Sequence, residues 1–191
     1  MKLLILLLAF SVSAQAEDFT FDKESGQAVP SFIGQLKIIK GEVFKLKQGK
    51  RIEVKTGTRF LKGETLVTGP SSFAQILIVD DSILNLSAKS ELNFSDFKFL
   101  DKTDRKIVYS FIKGQIRGIV KNKAKDGDLI IKTKLAAMSI RGTELYVNHE
   151  KVKQLEVSEF ALLSGNVLIT DNNNLKNELN KSESLLVISN P

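Results

Sequence analysis

From Gly34 onward, this sequence is dominated by short runs in which apolar and polar residues alternate. Phe44 and Leu46 alternate with lysines, and Ile76 and Ile78 belong to a similar run. Because successive side chains of a strand point to opposite faces of the sheet, this period of two predicts half-buried strands. A helical period of 3.6 residues is nowhere sustained over the length of a normal helix. The predicted fold class is therefore all-β.

Turn residues separate the alternating runs. Gln48-Gly49-Lys50 and Asp80-Asp81-Ser82 each lie between two such runs, which predicts two hairpin turns. For a chain of 191 residues, one domain is the expected organisation. Further strands are predicted at Lys106 to Ile112, Gln115 to Lys121, Leu129 to Lys134, Met138 to Asn148, Val152 to Val157 and Val167 to Thr170.

The stretch AAMSIRGTELYV, residues 136–147, contains a change of phase. Met138 and Ile140 have one parity, and Leu145 and Val147 have the other. A strand in strict register would therefore send one of these two apolar pairs into solvent. Glycine adopts positive φ at little cost, so Gly142 predicts a bulge or corner that returns both pairs to one face.

The residues on either side of Gly142 are interpreted as structural. Arg141 has five donors in a fixed geometry, which suits it to hold nearby carbonyls or a carboxylate. Thr143 is expected to bond the backbone that the bulge exposes. Because bulges also occur beside functional sites, the alternative is that Arg141 binds an anion.

Three segments share the pattern apolar-apolar-polar-Gly-polar-apolar, with Gly41, Gly114 and Gly165 in register. A glycine at a fixed place in a strand marks a bulge or a sharp corner. The spacings between the three segments are unequal, so they do not form a regular repeat array. Such corners are typical of a β-roll, a solenoid-like stack or a barrel-like sandwich.

The first residues, MKLLILLLAFSVSAQAED, have the layout of a secretory signal peptide. Lys2 precedes an apolar run from Leu3 to Val12, and Ala14-Gln15-Ala16 forms an A-x-A cleavage site. The apolar run is short for a membrane span, and an uncleaved anchor is the alternative. The sequence therefore predicts a periplasmic or secreted protein from which residues 1–16 are removed.

The rest of the chain divides into three predicted segments. Residues 17–32 carry mixed charge without periodicity, which indicates an N-terminal arm or linker. Residues 33–170 hold the all-β domain. Residues 171–191 form a C-terminal segment in which a closing strand is expected.

The composition limits the function classes. The chain has no cysteine, so an exported form relies on its apolar core rather than on disulfides. It has 28 basic and 22 acidic side chains, and removal of Lys2 with the signal peptide would leave 27 against 22. In an exported protein, this excess suits an acidic protein face, an anionic polymer or lipid headgroups rather than nucleic acid. Simple solubility is the preferred explanation of the excess.

The residues that catalysis needs are scarce. The single histidine, His149, is expected at an exposed strand end or turn, and there is neither a cysteine nor a Gly-x-Ser-x-Gly motif. Asp80-Asp81 lacks the alternating ligands of a calcium loop, and no phosphate-binding loop is present. The sequence therefore predicts a protein that is not an enzyme and has no metal or cofactor.

Residues suited to a binding surface are more numerous than residues suited to catalysis. A hairpin at Asp126-Gly127-Asp128 is expected to gather basic residues on one face that would attract an anionic partner. The alternative is a solvated face whose lysines discourage pairing between sheet edges. Tyr146, predicted to face outward, is a second candidate for binding. The basic residues are Lys113, Arg117, Lys121, Lys123, Lys132 and Lys134.

Several of these segments together resemble the periplasmic FecR-type domain. The segment LKGETLVTGPSSF is similar to the family's Gly-Asp-x-Leu-x-Thr-Gly motif through Gly63, Glu64, Leu66, Thr68 and Gly69. The segments YSFIKGQIR and ALLSGNVLI are similar to its Leu-x-x-Gly-x-Val and closing Leu-x-Gly-x-Val strands. Their matching glycines are Gly114 and Gly165.

The most recognisable match is SIRGTELYV, which resembles the family's Arg-Gly-Thr-x-Phe-x-Val signature. Arg141, Gly142, Thr143 and Val147 match, and Leu145 stands where phenylalanine is usual. The resemblance implies an all-β FecR-like fold in the cell envelope. Together with the predicted signal peptide and the scarcity of catalytic residues, it favours a binding or scaffolding module of the envelope that acts through protein contacts. The identity of the partner, a place in sigma-factor signalling and the oligomeric state stay open.

Overall fold

The computed structural model describes residues 19–23, 25–102, 104–123, 125 and 127–189. These residues form 18 strands and no helix, so the predicted all-β class is confirmed. None of them belongs to a helix that could cross a membrane. The predicted signal peptide, residues 1–16, lies outside the described part of the chain.

The strands follow one another through short turns. The first two lie within the predicted arm, and the last two lie within the predicted C-terminal segment. In chain order the strands are β1 (Phe19–Phe21), β2 (Ala28–Pro30), β3 (Gly34–Lys40), β4 (Val43–Lys47), β5 (Lys50–Glu53), β6 (Arg59–Phe60), β7 (Thr65–Thr68), β8 (Phe73–Ile78), β9 (Ile83–Leu86), β10 (Glu91–Phe99), β11 (Arg105–Ile119), β12 (Leu129–Lys132), β13 (Ala136–Ile140), β14 (Glu144–Val152), β15 (Leu155–Ser164), β16 (Asn166–Asp171), β17 (Lys176–Asn180) and β18 (Ser184–Ile188).

The strands form two sheets that share β11. Sheet 1 has the order β17-β16-β13-β12-β11-β10-β7-β4-β5. Sheet 2 has the order β18-β15-β14-β11-β9-β8-β3-β6. The first half of β11 pairs with β10 and β12, and its second half pairs with β9 and β14. The two sheets therefore form one curled, half-barrel arrangement, and β1 and β2 form a separate ribbon.

A single apolar core lies between the two sheets. Leu36 and Phe160 reach it from sheet 2, and Phe94 and Met138 reach it from sheet 1. The ring of Phe94 lies edge-on to that of Tyr109, with the centroids 6.0 Å apart. Because alternate residues of both sheets point inward, the period of two in the sequence becomes this shared core.

Glycines with positive φ stand where the chain passes from one sheet to the other. They are Gly41 between β3 and β4, Gly114 within β11, Gly142 between β13 and β14, and Gly165 between β15 and β16. At Gly114 the passage is tightest, because a Cβ there would lie 2.3 Å from Oγ and 2.5 Å from Cα of Ser90. The predicted glycine corners are thus the points at which the sheet curls.

The change of phase in residues 136–147 has the same origin. β13 belongs to sheet 1 and β14 to sheet 2, with Gly142 between them at a φ of +94°. Met138, Ile140, Leu145 and Val147 are all buried in the shared core. The corner therefore lets both apolar pairs face inward despite their opposite parity.

Three local expectations are wrong. Lys106 to Ile112 and Gln115 to Lys121 belong to one strand, because Gly114 bends β11 without ending it. Val152 to Val157 is not a strand, since it contains the turn between β14 and β15. The connection that includes Gly127 is not a hairpin, because β11 and β12 run parallel. Alternation reveals strands but not the direction in which they pair.

A buried ion pair closes the curl of β11. Nε of Arg105, the first residue of β11, donates to Oδ2 of Asp80 at 2.7 Å, and both side chains are fully buried. Nη2 of Arg105 donates to the carbonyl of Asn122 at 2.8 Å, and Nη1 donates to that of Lys102. Since Asn122 lies just beyond the end of β11, Arg105 joins the two ends of the curled strand.

Candidate functional site

The basic residues predicted to form one face are distributed over both sheets. Lys113 precedes the bend of β11, and Arg117 follows it. Lys132 belongs to β12 of sheet 1, and Lys121 and Lys123 lie in the connection after β11. No hairpin brings them together, because β11 and β12 are parallel.

Three of the basic side chains lie beside a carboxylate. These neighbours reduce the positive charge that each would offer to an anion. Binding of an anionic polymer or of lipid headgroups by these residues stays a prediction. The pairs are Lys113 with Glu91 at 3.5 Å, Arg117 with Glu144, and Lys134 with Glu156 at 2.7 Å.

The pair of Lys134 and Glu156 allows a direct test. The hydrogen bond from Lys134 is the main cause that lowers the pKa of the Glu156 carboxyl, and the charges of His149 and Lys151 act in the same direction. The stabilisation is therefore present above the pKa that Glu156 has in the unfolded chain, and is lost as the pH falls through the lowered folded-state pKa. We expect Lys134→Met to raise the Glu156 pKa toward its ordinary value in a carbon-detected NMR titration. Lys132→Met is the control that leaves it unchanged, and an unshifted Glu156 in Lys134→Met would contradict the contact.

Tyr146 lies on the solvent side of β14 and is half-buried. It stands opposite Arg117 on one side and Ala161 on the other. Partial burial is the main cause that raises the pKa of its hydroxyl, and the negative charges of Glu159 and Glu150 raise it further. Tyr146 is thus on the outer face, as predicted, and its role in binding stays a prediction.

The residues around Gly142 differ in their environments. Arg141 is exposed and lines a groove of about 430 Å³ together with Glu178 of β17. The hydroxyl of Thr143 is buried without a hydrogen bond, so the predicted bond from Thr143 to the backbone is wrong. Its methyl group instead packs against Gly165, where a Cβ would lie 2.8 Å from it.

The motif that begins at Gly63 holds turns in place. The amide of Gly63 donates to the carbonyl of Phe94 at 2.8 Å, and the amide of Gly69 donates to that of Glu42 at 2.8 Å. Glu64 is buried and accepts a hydrogen bond from Nζ of Lys45 at 2.9 Å. These contacts are internal to the fold and join neighbouring strands and turns, and the structural role of the motif stays a prediction.

His149 is buried within β14, so its predicted exposure is wrong. It continues the core-facing alternation of Val147, and its Nδ1 lies 2.9 Å from Oγ of Ser158 and 3.1 Å from the carbonyl of Val157. Its Nε2 lies 3.8 Å from Glu156. Because Ser158 is fully buried, its hydroxyl is not accessible to a substrate. Among the described residues there is no group of three or more side chains able to hold a metal ion.

The edge strands of the two sheets differ in charge. β5, at one edge of sheet 1, contains Lys50, Arg51 and Glu53, and β17, at the other edge, contains Lys176 and Glu178. β18, at one edge of sheet 2, has the sequence SLLVI and no charge. Charged side chains protect sheet edges from pairing with other chains, and β18 lacks this protection.

Within the described part of the chain, β18 pairs with β15 alone, so the backbone groups along its other edge have no strand partner there. On the side that faces β15, the amide of Leu162 donates to the carbonyl of Glu183, and the amide of Ser189 donates to the carbonyl of Glu156. In an antiparallel strand, the N–H and C=O groups of successive residues point to opposite edges. Since those of Glu183 and Ser189 point to β15, those of every second residue between them point to the free edge. The groups at the free edge belong to Ser184, Leu186 and Ile188.

The side chains of β18 are apolar on both faces of the sheet. Leu186 and Ile188 are 57% and 50% exposed on the solvent side. Leu185 and Val187 point toward the core, but are only half-buried. An exposed apolar edge strand of this kind is typical of a site that pairs with another chain.

A groove opens between the two sheets beside β18. Its volume is about 260 Å³. Apolar and polar side chains both line it. The groove is lined by Leu135, Asp171, Asn172, Asn173, Val187, Ile188 and Ser189. Together with β18 it forms the candidate functional site, which we call the β18 edge site.

The sequence contained part of this site. The uncharged run from Leu185 to Ile188 is visible within the predicted C-terminal segment. That this run lies at a sheet edge depends on its pairing with β15, a contact between distant parts of the chain. Local alternation does not reveal such pairing.

Comparison with solved structures identifies a similar fold. Two crystal structures of a protein from Parabacteroides distasonis, classed provisionally as an anti-sigma factor, each align with a TM-score of 0.52 and 16% identity. Each alignment covers 64% of this chain and 54% of that chain, so this chain spans about half of the length of that protein. At this level of identity the similarity shows the fold alone.

Comparison of sequences identifies the family. No curated protein sequence matches the chain. The family model described as FecR protein matches residues 64–168, which is more than half of the 191 residues. The match runs from the turn before β7 into β16 and includes the glycine corners at Gly114, Gly142 and Gly165. The resemblance noted in the sequence is therefore confirmed: the chain belongs to the FecR family.

Proposed function

We propose that this protein is a non-enzymatic binding module of envelope signalling that receives an extended segment of an envelope protein at the β18 edge site. The observation that carries the proposal is the edge strand β18, which is uncharged, apolar on both faces and, among the described residues, unpaired along one side. In strand addition, the backbone of the partner supplies hydrogen bonds to such an edge, and the side chains supply specificity.

The setting of the proposal comes from the family. FecR domains are typically periplasmic, and the chain belongs to that family. The protein of similar fold from P. distasonis is classed provisionally as an anti-sigma factor, which is a signalling role exercised through protein contacts. Residues 1–16 have the layout of a signal peptide, which supports export of this chain.

Photo-crosslinking in intact cells tests the proposal. A photoreactive amino acid is placed at position 186, on the free edge, or at position 112 as a control, because Ile112 is also exposed but lies in sheet 1. We expect a crosslink from position 186 to an uncharged extended segment of one envelope protein, identified by mass spectrometry. We expect Ile188→Lys to reduce that product by about tenfold or more, because a lysine at a sheet edge disfavours pairing with another strand.

Two outcomes would contradict the proposal. Equal crosslinking from positions 186 and 112 would show that the β18 edge is not a preferred contact. A crosslink from position 186 to a second copy of this chain would show that the edge serves self-association instead.

A further inference from the structure

We propose that the end of the half-barrel beside β5 docks onto an anionic phospholipid surface. The docking surface is one face of the β4–β5 hairpin, which carries Lys45, Lys47, Lys50 and Ile52 and which we call the lysine face. The proposal goes beyond the function proposed for the β18 edge site, because it concerns a different surface and a different kind of partner.

The positive charge of the chain is concentrated in the segment that forms this end. Residues 34–64 contain nine basic and three acidic side chains, so they account for the whole excess of six positive charges, and the rest of the chain is neutral overall. The segment includes β3, β4, β5 and β6. A local excess of this size attracts anionic surfaces.

The register of the hairpin places the lysines on one face. Lys45 stands opposite Ile52, and Lys47 stands opposite Lys50. Residues directly opposite each other in a sheet point to the same face, as do every second residue of one strand. These four side chains therefore share a face, which is the lysine face.

One buried carboxylate serves the lysine face. Oε2 of Glu64, which is 2% exposed, lies 2.9 Å from Nζ of Lys45, and its Oε1 lies 3.6 Å from Nζ of Lys47. Lys50 forms no ion pair with any residue in the described part of the chain. Because three lysines share a single carboxylate, the lysine face keeps a net positive charge.

The contact between Lys47 and Lys50 has no function within the fold. Like charges directly opposite each other destabilise a sheet. Lysines also protect a sheet edge from pairing with other chains, but a single lysine at this position would do so. An anionic surface would compensate both charges, so the repulsion is relieved when such a surface is bound.

Exposed apolar side chains accompany these lysines. Ile52, within the lysine face, and Leu61 are each 38% exposed. The amide of Leu61 donates to Oε2 of Glu64 at 3.1 Å, which places this residue beside the carboxylate that Lys45 and Lys47 contact. Binding to a membrane surface combines burial of apolar area with attraction to anionic lipids. The combination of charge and apolar area therefore favours a lipid surface over a hydrated anionic polymer.

The topology places the lysine face and the β18 edge site at different ends of the half-barrel. β5 and β17 are the two edges of sheet 1, and β6 and β18 are the two edges of sheet 2. Nζ of Lys45 donates to the carbonyl of Arg59 in β6 at 3.4 Å, so β4 and β6 meet at one end. Docking through the lysine face therefore leaves the β18 edge accessible to a protein partner.

Vesicle flotation of the purified protein tests the proposal. The probes are vesicles of phosphatidylcholine alone and vesicles that also contain about 30% phosphatidylglycerol. We expect the anionic vesicles to bind the protein about tenfold or more tightly, and this binding to be lost when NaCl is raised from about 0.05 M to about 0.5 M. The phosphatidylcholine vesicles measure binding that does not depend on charge, including any by the apolar run from Leu3 to Val12.

Paired variants locate the docking surface. We expect Lys47→Gln with Lys50→Gln to weaken binding to the anionic vesicles by about tenfold or more, since each basic side chain near such a surface contributes roughly fivefold. Lys113→Gln with Lys132→Gln is the matched control, because it makes the same change in net charge at exposed positions outside the lysine face. We expect the control to keep its affinity within about twofold.

A third variant tests the apolar contribution. We expect Ile52→Ser to weaken binding to the anionic vesicles by about threefold or more, because less apolar area is then buried against the lipid. Its binding to soluble polyphosphate should be unchanged, since the lysines remain. Circular dichroism verifies that each variant keeps the fold, as expected for substitutions at exposed positions.

Three outcomes would overturn the proposal. The first is equal binding of both kinds of vesicle to the unchanged protein. The second is an equal loss of affinity in the two paired variants, which would show that net charge rather than the lysine face sets the binding. The third is binding of polyphosphate as tight as that of the anionic vesicles, with no effect of Ile52→Ser on either, which would identify an anionic polymer as the ligand. None of these outcomes affects the proposed function, which is tested by the crosslink from position 186.

Discussion

Asp80→Asn is expected to lower the free energy of unfolding by about 3–5 kcal/mol, because removal of one partner of a buried ion pair leaves the other charge uncompensated. The guanidinium of Arg105 would remain fully buried, with its Nε against a neutral amide instead of a carboxylate. The same guanidinium holds the carbonyl of Asn122, so the loss would also weaken the connection between the two ends of β11. Chemical denaturation followed by circular dichroism measures the effect.

The neighbouring residue supplies the matched control. Asp81 pairs with Lys102, but both side chains are about half exposed. Asp81 also has a φ of +67°, a conformation that asparagine adopts as readily as aspartate. Asp81→Asn should therefore change the stability by less than about 1 kcal/mol. Equal losses for the two variants would show that burial of the Asp80 pair does not set its contribution.

Gly114→Ala is expected to destabilise the fold by about 2–5 kcal/mol, from the cost of a non-glycine residue at positive φ and from overpacking. The φ of Gly114 is +97°. A Cβ there would lie 2.5 Å from Cα of Ser90, which is backbone and cannot move aside as the end of a flexible side chain would. β11 would have to move away from Ser90 at the point where it passes between the sheets. Thermal and chemical unfolding give the loss directly.

Gly142→Ala isolates the conformational part of that loss. The φ of Gly142 is +94°, close to that of Gly114, but a Cβ there would be 3.5 Å from the nearest atoms, those of Lys123. This variant should lower the free energy of unfolding only by the cost of the backbone conformation, about 1–2 kcal/mol. If Gly114→Ala lowers the free energy of unfolding no more than Gly142→Ala does, Ser90 moves aside for the added methyl group at little cost.

The local features of the fold are predictable from the sequence because they have local causes. Alternation in residues such as Phe44 and Leu46 determines which side chains of a strand point inward. The change of phase on either side of Gly142 requires a corner, and only glycine takes the necessary φ cheaply. The hairpin turn at Gln48-Gly49 is predictable for the same reason, since Gly49 has a positive φ.

The features that the sequence did not reveal depend on contacts between distant residues. Arg105 looks like one more basic residue until β11 curls and brings its two ends together. His149 was expected in solvent because a polar residue near a turn is common there, but the alternation of β14 places it inside. The β18 edge site could not be predicted either, since an uncharged strand is equally suited to the middle of a sheet.

The sharing of β11 by both sheets has a consequence for cooperativity. Four strands pair with β11, two in each sheet, and its ends are joined through Arg105. Opening of either sheet therefore disrupts hydrogen bonds in the other, so neither sheet can act as an independently unfolding unit. Backbone amides on both sides of the bend should exchange with solvent only through a common, global transition, whereas the β1 and β2 ribbon stands outside that unit.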